Sequence, residues 1–158
     1  MKVTNIHKRI INQPKQEVGK LFETLATEND KVWPTENWHP MKFKDGFKVG
    51  STGGHGPIGY SINNIYKNEF IEFKFVKPKG YKGIHKFELI KLTDNSTEIK
   101  HTIEVDLNGF DFLGWAIIVK YLHDALLEDC FDKVENQFGG NKKTTWSTWT
   151  KILRRLFE

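Results

Sequence analysis

The sequence predicts an α+β fold in which an antiparallel sheet packs one face on a long C-terminal helix. Two observations carry this. Residues 110–138 contain no Pro and a single internal Gly, Gly114; as a helix rising 1.5 Å per residue they span roughly 43 Å. Ahead of them, residues 70–76, 84–92 and 97–107 alternate apolar and polar side chains and are separated by short turns. That pattern belongs to consecutive antiparallel strands. The apolar sheet face needs a partner, and the helix is the one element large enough to supply it.

Each element follows from local chemistry. Residues 3–11 are rich in β-branched side chains and read as a strand, with parity left open because Ile10 and Ile11 are both apolar. Pro14 opens a short helix over 15–26, where Val18, Leu21, Phe22 and Leu25 recur at helical spacing. Gly19 inside it costs about 1 kcal/mol relative to Ala. A second short helix is expected over 28–32, then a rigid aromatic turn at Trp33-Pro34 and Trp38-His39-Pro40. Asp45-Gly46 makes a turn, and residues 50–57, with four glycines, read as a loop. Residues 58–66 place Ile58, Tyr60, Ile62, Asn64 and Tyr66 on one face. Ile71, Phe73 and Phe75, then His85, Phe87 and Leu89, then Ile99, His101, Ile103, Val105 and Leu107 form the inward faces of the next three strands.

Asn108 or Asp111 caps the long helix, and Gly139-Gly140 ends it. Its apolar residues fall into two stripes. Leu113, Ile117, Leu127 and Phe131 are assigned to the sheet, with Lys120 and Asp124 interrupting them. Trp115, Ile118, Val119, Leu122, Leu126 and Cys130 form the second stripe, assigned to cover by the tail and the short helices.

At 158 residues the chain is read as one domain over 1–140 with a tail over 141–158. The net charge of +4 resides in that tail, where Lys142, Lys143, Lys151, Arg154 and Arg155 face one acid, Glu158. The rest is neutral, which argues against a nucleic-acid partner. Cys130 is the only cysteine, so no intramolecular disulfide or multi-thiolate site forms. Met1 is followed by charged and polar residues, and the apolar stretch 112–122 is too short to span a bilayer. The expected location is cytoplasmic.

The strand ending in Ile11-Asn12-Gln13-Pro14, the Gly50-Ser51-Thr52-Gly53-Gly54-His55-Gly56-Pro57-Ile58 stretch and the closing helix through residues 127–134 resemble the START-like, or helix-grip, superfamily. Its members include the polyketide cyclase/dehydrase-like and birch-pollen-allergen-like proteins and the lipid-transfer START domains. The resemblance covers about residues 3–138. It implies a curved antiparallel sheet gripping the C-terminal helix around an apolar cavity. It implies no single function, because carriers, cyclases and chaperone cofactors share the fold.

The candidate ligand-binding residues are Tyr60, Phe73, Phe75 and Phe87 on the inner sheet face, Trp33 and Trp38 at one end, Ile117 on the helix floor, and His55, His85 and His101. From the residues alone, these rings fill a solid core as well as they line a cavity; the resemblance favours the cavity. His85 and His101 share the inner face and suit a polar ligand group or proton exchange. Zinc would need a third ligand, and none is evident on that face, so no metal is expected. His55 lies in a glycine-rich stretch that matches neither phosphate-binding pattern, so no nucleotide cofactor is expected. His123 and Asp124 are adjacent and point about 100° apart, and no nucleophile has a context that names it. The functional reading is a binder of a small hydrophobic or aromatic ligand, lipid- or polyketide-like. The alternatives are a cyclase- or dehydratase-like enzyme with an inward histidine as acid/base, and an interaction module acting through the tail. That tail, with Trp146, Trp149, Leu153 and Leu156 beside Lys151, Arg154 and Arg155, is read foremost as folding back on the domain. Peripheral membrane contact, ligand gating and a homodimer contact are the other uses of such a stretch.

Overall fold

The first strand of the chain pairs with the last. β1 (Lys2–Ile11) lies antiparallel to β7 (Ser96–Asp106), which closes the sheet order β1-β7-β6-β5-β4-β3-β2 in the computed structural model, where residues 1–157 are described. The other strands are β2 (Lys42–Phe43), β3 (Thr52–His55), β4 (Ile58–Tyr66), β5 (Phe70–Lys77) and β6 (Lys82–Thr93), each antiparallel to its neighbours. The α1 helix (Lys15–Phe22) follows β1. After β7 the chain enters α2 (Gly109–Gly114), a π-helical turn (Trp115–Val119) and α3 (Lys120–Asn136), which together make the long helix. The tail ends in α4 (Thr148–Phe157). Among the described residues, no helix is long and apolar enough to cross a membrane.

The alternation on β5, β6 and β7 appears as predicted: Phe73, Phe87, Ile99, Ile103 and Val105 are buried, with Leu127, Phe131 and Val134 of α3 also in the interior. On β4 the alternation breaks. A bulge between Ile62 and Asn64 inserts a residue, so Ile65 packs on the core and Tyr66, expected inside, is exposed. Parity on β1 resolves to Val3, Asn5, His7, Arg9 and Ile11 facing in, leaving Ile6 and Ile10 outside.

Three local expectations are corrected. Within the stretch 50–57 read as a loop, Thr52–His55 form a strand, β3, because Gly53 and Gly54 let neighbouring backbones approach where a Cβ would strike Lys42 and Ile58 carbonyl oxygens. No helix forms over 28–32; Asp30 takes its carboxylate to the N–H groups of Ala26, Val32 and Trp33 at 2.7–2.8 Å, organising turns instead. The long helix is not uniformly α-helical. Lys120 N–H bonds to Trp115 O, five residues back, and this extra residue in the turn rotates the preceding stripe by roughly one residue step, about 100°. Leu113 and Ile117 therefore point outward, at 55% and 46% exposure, and the Trp115 stripe turns inward. Gly19 permits close packing of α1 against the Asn68 side chain.

The tail folds back. Asn136 bonds both backbone groups of Lys142 at 2.7 and 2.8 Å, and Asp132 accepts from Thr144 N–H. Trp38 and Trp146 meet edge to face and both donate to Asp129, and the Arg154 guanidinium lies over the two rings at 4.7 and 4.5 Å. Leu153 is buried. Leu153→Ala is expected to cost about 2–4 kcal/mol in urea unfolding, and truncation after Gly140 to lower the melting temperature. An unchanged melting temperature in the truncated protein would contradict a packed tail.

Candidate functional site: an aromatic cavity with buried histidines

The N-terminal half of the long helix stands off the sheet and leaves a cavity of about 600 Å³. The sheet contributes His55, Phe75, His85, His101 and Ile103 to its wall. The helix contributes Trp115, Ile118, Val119, Leu122, His123 and Leu126; the turn region adds Trp33, Trp38 and His39, and α4 adds Arg154 and Phe157. A volume in the few-hundred-Å³ range with apolar walls and a few polar groups is that of a small-molecule site.

The polar groups are imidazoles. His85 Nδ1 and His101 Nε2 are 3.3 Å apart, and both residues are buried. His85 stacks on Phe73 at 4.7 Å and meets Tyr60 edge-on at 4.6 Å. His101 meets Phe87 edge-on at 4.6 Å. His55 bonds through Nδ1 to the Tyr60 hydroxyl at 3.0 Å and packs on Trp33. Among the described residues, no protein group bonds His85 Nε2 or His101 Nδ1. Leaving a buried polar atom unpaired costs about 1–3 kcal/mol.

Burial keeps these rings neutral. It pushes His55 down to about 3, with the nearby His123 and His39 adding to the effect. His85 and His101 are held well below the usual histidine range by burial first and by the other histidines second. One bond joins the His85–His101 pair, so each ring uses one nitrogen on the other. One ring is the donor there and its partner the acceptor. The two remaining nitrogens must then be one donor and one acceptor, whichever tautomer is present.

At the sheet edge the electrostatics reverse. His7 on β1 bonds Asp124 at 2.9 Å and Glu128 at 3.1 Å. Burial opposes its charge, but these two carboxylates outweigh it and raise His7 to about 9. Asp124 is lowered: His123, His7, Lys120 and Asn5 overcome the burial that would raise it. His7, His123 and Asp124 are the one group among the described residues within metal-holding reach. Both ring nitrogens of His7 are already engaged, and Asp124 also accepts from Lys120 and Asn5, while among the described residues His123 Nδ1 has no hydrogen-bond partner.

Of the ten sequence-predicted residues, Trp33, Trp38, His55, Phe75, His85 and His101 lie on the wall. Tyr60, Phe73 and Phe87 sit behind it as fully buried supports for the histidines. Ile117 is outside, turned away by the π-helical turn. Sequence reasoning missed Tyr81, His123 and the Trp115–Leu122 stripe as wall residues. That stripe is visible in the sequence, where its pattern reads as a face covered by the tail and the short helices.

Stability is expected to fall on both sides of neutrality. His7 is raised, so its contribution is complete below 6.5 and disappears as pH climbs through about 9. His55 is lowered, so its contribution is present above 6.5 and fades as pH drops towards about 3. Ring-proton NMR should show His7 titrating near 9, with His55, His85 and His101 silent around neutrality. His7→Gln should remove the alkaline limb of the stability profile and leave the acid limb.

No family model and no curated protein matches the sequence. Solved structures do match the fold. Norcoclaurine synthase of Thalictrum flavum, a point mutant bound to a transition-state analogue, superposes with a TM-score of 0.67 at 10% identity over 89% of this chain and 98% of its own. The same enzyme with dopamine and hydroxybenzaldehyde gives 0.65 at 10% identity, covering 91% and 90%. A protein of Nitrosospira multiformis gives 0.65 at 14% identity, covering 89% and 100%. At such identities the likeness is one of fold: the chain has the helix-grip fold.

Proposed function

We propose that this protein binds a small, largely apolar or aromatic molecule in the cavity between sheet and helix. The observation that carries this reading is the roughly 600 Å³ space walled by aromatic and aliphatic side chains around a buried, neutral histidine pair. Among the described residues, Arg154 is the one Asp, Glu, Lys or Arg side chain on its wall, and the histidine pair lies among apolar groups. The pair suits a ligand with a hydroxyl, phenol or enol, a group that both donates and accepts. The norcoclaurine synthase complexes, with aromatic molecules bound on the same fold, are consistent with a ligand of that size.

The His85–His101 contact also favours a second reading, a cyclase- or dehydratase-like enzyme. One ring nitrogen would take a proton from the ligand, the shared proton would shift across the 3.3 Å bond, and the other ring would release a proton. The pair stays neutral overall, which avoids the cost of a buried imidazolium.

The test is native mass spectrometry of the purified protein, followed by titration of small aromatic alcohols and lipids against tryptophan fluorescence. A filled cavity should show as a bound mass or a saturable quench. Val119→Trp, which places a ring in the cavity, should abolish it while the circular dichroism is retained. Absence of any bound mass and of any saturable ligand would overturn the binding reading. For the enzyme reading, His101→Gln should lower turnover at least about tenfold with little change in affinity; equal losses in both would leave binding alone.

A further inference from the structure

Two helical stripes remain exposed on the elements whose other sides line the cavity. On the long helix, Phe110, Leu113 and Ile117 recur at three- and four-residue spacing and are 91%, 55% and 46% exposed. On α4, Trp149, Ile152 and Leu156 recur in the same way and are 42%, 43% and 70% exposed. The stripes meet where Trp149 Nε1 donates to Ile117 O at 3.0 Å. Six large apolar side chains on adjoining helices exceed the scattered exposure normal for a protein surface.

The charges beside the α4 stripe have one sign, and the acid beside the other stripe, Asp111, accepts a hydrogen bond from the Asn108 side chain. α4 carries Lys151, Arg154 and Arg155 and, among the described residues, no acid. Lys151 and Arg155 are exposed next to Ile152 and Leu156. Apolar side chains reaching into an interface, with cations at headgroup level and a Trp between, are what an in-plane amphipathic helix uses to hold an anionic bilayer. A second copy of this chain would bring the same cations against each other, whereas an anionic surface would complement them.

We propose that the α2 and π-turn stripe and the α4 stripe form one surface that docks on a bilayer containing anionic lipid. Phe110, Leu113, Trp149, Ile152 and Leu156 enter the interface, and Lys151 and Arg155 contact the headgroups. The other sides of the same elements, through Trp115, Ile118 and Phe157, line the cavity. Docking therefore places these cavity-lining elements at the lipid surface, so that an apolar ligand passes between bilayer and cavity with little exposure to water. This last step rests on the proposed binding function; the docking itself does not.

The experiment is co-sedimentation of the full chain with phosphatidylcholine vesicles with and without phosphatidylglycerol, at low and high salt. The expected result is binding to the anionic vesicles that weakens with salt. Lys151→Gln with Arg155→Gln should weaken it roughly thirtyfold. Phe110→Ser with Leu156→Ser should abolish it with the melting temperature unchanged, because both side chains are exposed. The ligand titration described above is repeated on that pair without vesicles: retained ligand binding with lost sedimentation separates docking from the cavity reading. Absence of sedimentation with anionic vesicles overturns the proposal. So does concentration-dependent dimerisation in solution that disappears in the Phe110/Leu156 pair, since it assigns the surface to a second copy.

Discussion

The ionic seam between β1 and α3 determines where the long helix can lie. Arg9 reaches Glu128, Asp132 and Glu135 at 2.8–3.0 Å, and His7 bridges Asp124 and Glu128. The carboxylates recur every three or four residues along one side of α3, and the basic groups recur every second residue on the inner side of β1. The helical and strand periods coincide only in one alignment of the two elements. Part-buried charges whose partners are removed cost more than the pairs themselves contribute, so the seam acts mainly on register. The apolar contacts of Leu127, Phe131 and Val134 supply the burial.

With α3 held at one sheet edge, the N-terminal half of the long helix has no such ionic clamp among the described residues. The π-helical turn separates the two halves and redirects the Trp115–Leu122 side chains to face the strands across the cavity. The same polar seam continues inward as imidazoles. His7 and His123 have ring centroids 5.8 Å apart, His123 and His101 5.1 Å, and His101 and His85 5.5 Å. Along this row the environment changes from two carboxylates to aromatic rings. The protonation preference changes with it, from a charged His7 to a neutral His85. Burial holds His123, His101 and His85 neutral, and only at His7 do two carboxylates outweigh it.

The tail completes one end of this arrangement. Asp129 accepts from the indoles of Trp38 and Trp146, and so joins the turn region, α3 and the chain leading into α4 through one carboxylate. Arg154 over both rings adds a cation–π contact in the same place. The cavity rim is thereby built from segments far apart in sequence, and α4 offers three faces: Leu153 to the interior, Phe157 to the cavity and Trp149 to the outside.

Strong periodicity determined what the sequence alone could reveal. Strict alternation on β5–β7 and an unbroken Pro-free stretch specify strands, a helix and the inward position of His85 and His101, since those patterns are local consequences of backbone geometry. Composition likewise located the positive charge in the tail. Tertiary structure decided the rest. The bulge at Asn63 and the π turn at Trp115–Val119 each add one residue, and one residue is enough to turn Tyr66 and Ile117 outward. The glycines of β3 became a strand because a neighbouring backbone was there to pair with. Whether aromatic side chains fill a core or bound a cavity depends on where the helix rests, and that is set by long-range pairs such as Arg9 with Glu135 that no local pattern announces.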